Sequence, residues 1–248
     1  MAVLGALVLT YNEEENIEDC LESISWVDEV VVVDSYSEDD TLELASKYTD
    51  KVFKRKFDDF ASQRNFGLDR LESDWVLILD ADERITDRLR EQIEGILEAP
   101  GAEGYQVSRK NYFLGRWIKY CGWYPDYTLR LFKLEGNRYD GLVHEGVDIK
   151  GEVKKLEEPL IHYTYQGLEE YLDKINHYTT LDAKEKYEKG VEKGLVYFLF
   201  RPVVEFIKKY ILKQGFRLGR PGFILSILSA YYQFLKYAKL WEKNNVKS

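Results

Sequence analysis

The chain has 248 residues, 45% of them hydrophobic and 32% charged, which excludes a disordered tract and accommodates one large core or a core with an appendage. Its net charge of −9 is uneven: residues 191–248 carry 11 Lys/Arg against 3 Asp/Glu, and residues 1–190 carry 24 against 41. An acidic body with a basic, aromatic tail argues against nucleic-acid binding and for docking on an anionic lipid surface.

The apolar start, MAVLGALVLTYNEEEN, lacks a basic leader and a cleavage site and reads as a first strand. Two distant cysteines, Cys20 and Cys121, form neither a disulfide framework nor a metal spacing, so a reducing, cytoplasmic setting is expected.

In chain order, residues 3–10 read as a buried strand, and Asn16 as the cap of a helix over 17–25. EVVVVD is a second buried strand, DTLELASKY a short helix and KVFKRKF a third strand. Residues 59–72 predict a helix with Phe60, Phe66, Leu68 and Leu71 as its apolar positions. DWVLILDADE is a fourth strand, followed by a helix capped by Thr86. Four β-α units in 100 residues imply an α/β fold with a mainly parallel, Rossmann-like sheet flanked by helices, whose ligands sit at the carboxyl ends of the strands. Residues 104–165 change to short strands with Gly and aromatic loops, and 167–243 are helical. The expected division is a catalytic domain over 1–166, with halves at 1–100 and 101–166, and a C-terminal helical region over 167–248.

The acids collect at those carboxyl ends. Asp80-Ala81-Asp82 follows VLIL, so two carboxylates at i and i+2 emerge together from a buried strand. Hard oxygen ligands with open positions suit Mg²⁺ or Mn²⁺ bound to a diphosphate. Thr10-Tyr11-Asn12-Glu13 ends the first strand and Asp34 the second. Asp34 can accept from a base or a ribose, or can cap its own loop as an Asx turn. No glycine-rich phosphate loop is present, so a dinucleotide fold and a P-loop are both excluded.

LVLTYNEEENI, VVVDSYSEDDT, ASQRNFGL and WVLILDADE, in this order and spacing, resemble the inverting family 2 glycosyltransferases of GT-A fold. Looser likeness runs through YCGWYPDYTLRLFK, GLVHE and LIHYTY, in the manner of the bacterial subgroup that builds lipopolysaccharide core. The resemblance implies an enzyme that moves a hexose from a nucleotide-diphospho-sugar, UDP-linked for preference, to a lipid-linked saccharide. It places Thr10, Tyr11, Asn12 and Glu13 along base and ribose, Asp34 at the base, and Arg64 near the nucleotide or diphosphate. Asp80, Ala81 and Asp82 match the Asp-x-Asp motif, with Asp82 nearest the metal, and His162 matches a C-terminal histidine that completes the metal site.

An inverting transfer also needs a carboxylate to take the acceptor's proton. Glu145 matches the family's later acidic motif, although His144-Glu145 stands where many relatives have Glu-Asp, and Asp126 is the alternative. Either acid could instead pair with Arg130. Trp123, Tyr124 and Arg130 are the candidate acceptor contacts, with Trp117 beside them, or the aromatics form a packed cluster.

In the tail, Ile224, Ile227, Leu228, Tyr231, Leu235 and Ala238 make a helical stripe, and the uncharged run between Arg220 and Lys236 is too short to span a bilayer. A peripheral, interfacial helix on the inner face of the cytoplasmic membrane is one reading, a packed hairpin or dimer contact the other. Two rivals differ in class: a nucleotidyltransferase making nucleotide sugars, which the acidic, glycine-free YNEEEN disfavours, and a non-catalytic scaffold, which the acids at every strand end disfavour.

Overall fold

The computed structural model describes residues 2–140, 146–147, 149–165, 167–191 and 195–246. Two compact units are present: Met1–Lys110 with Asp126–His162, and Asn111–Pro125 with Tyr163–Ser248.

In the first unit the chain runs β1 (Leu4–Thr10), α1 (Ile17–Ser23), β2 (Glu29–Asp34), α2 (Thr41–Ala45), β3 (Val52–Lys54), α3 (Phe60–Leu68), β4 (Trp75–Asp80), β5 (Glu83–Arg84) and α4 (Asp87–Glu98). Then come β6 (Gly104–Phe113), which passes into the second unit at Asn111, β7 (Arg116–Trp117) of that second unit, and, back in the first, β8 (Tyr127–Lys133), β9 (Tyr139–Asp140), β10 (Gly146–Val147), β11 (Val153–Lys155) and β12 (Leu160–Tyr165), which leaves it after His162. The strand order is β3-β2-β1-β4-β8-β6-β12-β5, with β11 beside β6. β3, β2, β1 and β4 are mutually parallel, whereas β8 runs antiparallel to both β4 and β6.

Every residue of β1 is buried because the sheet is covered on both faces. Leu4, Ala6 and Val8 join Leu77 and Leu79 in one core cluster, while Leu7 and Leu9 join Val76 and Ile78 in the other. That is the period-two alternation of strands buried on two sides. Gly67 lets α3 lie close to β1, since a Cβ there would stand 2.2 Å from Leu7 Cδ1.

Local signals fared unevenly. Thr86 caps α4 by accepting from the Leu89 amide at 3.2 Å. Asp59 caps α3, which ends at Leu68 rather than 72, and Phe60 is exposed rather than inward. Asn16 stands at the N-cap of α1 but makes no capping bond; its side chain donates to Glu13 and accepts from Arg84.

The second unit holds the hairpin end of β6 with β7 and the helices α5 (Leu168–Glu188), α6 (Leu195–Ile207) and α7 (Arg220–Asn245). A π-helical turn, Lys208–Leu212, and a 3₁₀ turn, Gly215–Leu218, join α6 to α7. The buried line of α7 includes Gly222, Leu225, Ser226, Tyr237 and Leu240. The stripe expected from periodicity is offset from it: Ile227 and Tyr231 are exposed. No described helix is long and apolar enough to cross a membrane.

Candidate active site

Parallel pairing brings three strand ends together. Thr10 is the register partner of Asp34, and Leu9 that of Asp80. Beyond these ends the first two loops are stitched to each other. The Asn12 amide donates to Ser37 Oγ at 2.8 Å, Asn12 Oδ1 accepts from the Glu38 amide at 2.9 Å, and the Glu13 amide donates to Thr41 Oγ1 at 2.8 Å. Asn12 takes φ 52°, a conformation that asparagine tolerates better than most residues.

Asp34 is fully buried, and its carboxylate accepts from the Tyr36 and Ser37 amides and from Ser37 Oγ. Of the two expectations for this residue, the structure displays the loop-capping Asx turn. Tyr11 and Tyr36 are exposed at this corner, at 55% and 56%, as are Asn12 and Glu38. Thr10 Oγ1 is buried at the strand end without a hydrogen-bond partner.

At the end of β4, Asp80 lies between two arginines. Its Oδ2 accepts from Arg130 at 2.8 Å and its Oδ1 is 3.5 Å from Arg64. Burial alone would raise the Asp80 pKa, but Arg130 and Arg64 outweigh it and hold the carboxyl below its ordinary range. Arg130 also pairs with Glu83, which is fully buried and whose other oxygen accepts from the Asp80 amide. Burial pushes Glu83 up, with Arg130 offsetting only part of the effect. Arg64 is flanked by the rings of Phe60 and Tyr139, at 5.4 and 5.1 Å.

Asp82 faces His162: His162 Nε2 and Asp82 Oδ2 are 3.2 Å apart, and the side chains are 11% exposed for His162 and 17% for Asp82. The short strand β5 creates this pair. It runs antiparallel to β12 with Glu83 opposite His162, which sets the imidazole beside the carboxylate one residue before Glu83. Ala81, between the two aspartates, is buried and donates its amide to the Leu9 carbonyl. A carboxylate oxygen and an imidazole nitrogen converging this way suit a borderline divalent ion such as Mn²⁺ better than Mg²⁺. Among the described residues no group of three or more His, Cys, Asp or Glu is placed to share one ion.

Other sequence candidates lie elsewhere. Glu145 falls outside the described residues. Asp126 makes a two-pronged pair with Arg109, at 2.9 Å from Nε and 2.6 Å from Nη2. Arg130, expected to touch the acceptor, is 4% exposed and engaged with Asp80 and Glu83. In the second unit Trp123 packs in an aromatic cluster with Phe113, Tyr165 and Tyr171, and Tyr124 stands edge-on to Trp117 at 5.5 Å.

Sequence reasoning missed three contributors. Glu83 was visible only as the last acid of the DADE run, with nothing to mark it as the partner of an arginine 47 positions away. Arg84, which reaches the Ala81 carbonyl and Asn16, and Tyr36, at φ 68°, carried no periodic signal.

The model of the family described as glycosyl transferase family 2 matches residues 6–145. The lipopolysaccharide core biosynthesis glycosyltransferase LpsC of Rhizobium meliloti is 31% identical, over 99% of this chain and 94% of its own. An uncharacterized glycosyltransferase of Rickettsia typhi is 28% identical over 98% of this chain and 88% of its own. Among solved structures, S. aureus TarS 1–349 in complex with UDP-GlcNAc superposes with a TM-score of 0.50 at 14% identity, covering 98% of this chain and 92% of that one. That likeness concerns the fold, which is GT-A. The chain belongs to glycosyl transferase family 2.

Proposed function

We propose that this glycosyltransferase inverts the anomeric centre as it moves a hexose from a nucleotide-diphospho-sugar, UDP-linked for preference, to a hydroxyl of a lipid-linked saccharide of the lipopolysaccharide-core kind. The full-length likeness to LpsC supports the substrate class. The observation that carries the reading is the convergence, at the carboxyl ends of β1, β2 and β4, of the Asp82–His162 pair with the Asp80–Arg64–Arg130 cluster.

Each group then has a task. The stitched loops after β1 and β2 hold Thr10, Tyr11, Asn12 and Glu13 along the nucleoside, with Asp34 rigidifying the loop that offers Tyr36. Arg130 positions Asp80 from its buried pair with Glu83, and Arg64 stands on the phosphate side. Asp82 and His162 are the residues that would hold Mn²⁺ or Mg²⁺. Bound there, the ion supplies charge neutralisation on the departing diphosphate. A carboxylate, Glu145 or else Asp126, removes the acceptor hydroxyl's proton as that oxygen bonds to the anomeric carbon and the bond to the diphosphate oxygen breaks. Residues 1–100 form the donor half, 101–166 the acceptor half, and 167–248 the attachment to the inner face of the cytoplasmic membrane.

Release of nucleoside diphosphate from UDP-, GDP- and ADP-sugars, by wild type and Asp82→Ala, tests this reading. Turnover with one donor in wild type and its loss in the variant support it. Equal turnover in both overturns the role of Asp82.

A further inference from the structure

The helix α6 is strongly apolar, with Arg201 and Glu205 as its charged residues. One side is accounted for. Tyr197 meets Tyr237 at 4.9 Å, Phe198 meets Phe234 at 4.9 Å and Phe206 meets Phe223 at 5.9 Å, all on α7. The opposite side is open. Leu199, Phe200, Val203, Val204, Ile207 and Ile211 recur at helical spacing and are each between 43% and 62% exposed. Contiguous apolar surface of this kind on a soluble protein marks an interaction site.

The surrounding charge selects the partner. Arg201, Lys208, Lys213, Arg217 and Arg220 are all exposed around this row. Between residues 197 and 241 the sequence has a single acid, Glu205, and it is 8% exposed, with its carboxylate 3.6 Å from Lys208 Nζ. A two-fold contact with a second copy would set these cations against their own equivalents without a countercharge. An anionic bilayer surface answers both features, taking the apolar row into its acyl boundary and the cations at its headgroups.

We propose that the outward face of α6, continued by the π-helical turn, is the element that inserts into anionic lipid, and that α7 serves chiefly as its support. The inference refines the membrane attachment proposed above and is independent of the transfer chemistry. It moves the inserting surface from the α7 stripe, which periodicity favours, to residues 199–211.

Flotation of the full chain with vesicles of phosphatidylcholine alone or mixed with phosphatidylglycerol tests it. Wild type is expected to float with the anionic vesicles at low salt, less at high salt, and not with phosphatidylcholine alone. Phe200→Glu with Val204→Glu should lower binding about tenfold or more, with an unchanged melting temperature. Donor hydrolysis by that variant should match wild type, which separates a failure of docking from a failure of the glycosyltransferase reading. A Phe200→Trp variant should gain fluorescence quenching by brominated lipid. Undiminished flotation of the double-Glu variant, no added quenching at position 200, or a wild-type dimer that this variant dissociates without any flotation would each overturn the proposal.

Discussion

His162 Nε2 lies 3.2 Å from Asp82 Oδ2, although 80 positions separate the two residues in the chain. The antiparallel pairing of β5 with β12 sets this distance, so the pair is as rigid as the sheet edge that builds it. His162→Ala should therefore weaken Mn²⁺ binding about tenfold or more in the presence of UDP, with little effect on the far-ultraviolet circular dichroism spectrum. Calorimetric titration checks this, and unchanged affinity would remove His162 from the ion site.

The Arg130–Glu83 pair is buried, and breaking it leaves a carboxylate without its counter-ion. Arg130→Met should cost about 3–5 kcal/mol of stability, well above an exposed ion pair such as Arg138–Asp69. Urea denaturation of the two variants, Arg130→Met and Arg138→Met, gives the comparison.

The two acids of this cluster respond to pH with opposite signs. Asp80 is held below its ordinary value of 3.8, so its contribution is complete above that pH and is lost as pH falls. Glu83 is pushed above its ordinary 4.5, so its contribution is complete below that pH and is lost as pH rises through the folded-state value. Across about pH 3 to 7, the stability of wild type relative to Asp80→Asn should fall toward the acid end. The stability of wild type relative to Glu83→Gln should fall toward the neutral end. Urea midpoints measured over that range check both slopes.

The choice of base separates by kinetics. Glu145→Gln should lower kcat about 10²-fold or more with donor KM retained. Asp126→Asn should leave kcat closer to wild type, since Asp126 is engaged by Arg109. The reverse pattern assigns the proton to Asp126.

Much of this sheet end was legible because its signals are local. A continuous apolar run closed by polar groups marks a doubly covered strand, and three such runs place Thr10, Asp34 and Asp80 at one sheet end. Long-range pairing was not legible. Nothing around LIHYTY states that β12 borders a two-residue strand, and nothing in TLRLFK states that Arg130 is buried against Glu83. Local rules also lost to competition: Asn16, a good cap by type, spends its side chain on Glu13 and Arg84. In the tail, periodicity found a stripe on α7, whereas the side of α6 that stays open is set by its packing on α7 through Tyr197 and Phe198, which the sequence does not state.

On the proposed reading, this sheet end transfers a sugar from a nucleotide donor by way of Asp82. The most direct measurement is nucleoside diphosphate release by the purified chain with Mn²⁺, a panel of UDP-, GDP- and ADP-sugars and a lipid A–core acceptor, for wild type and for Asp82→Ala. The expected result is acceptor-dependent release from one donor by wild type and a loss of about 10²-fold or more in a folded Asp82→Ala. Release at the wild-type rate by Asp82→Ala, or none from any donor by a folded wild type, would contradict it.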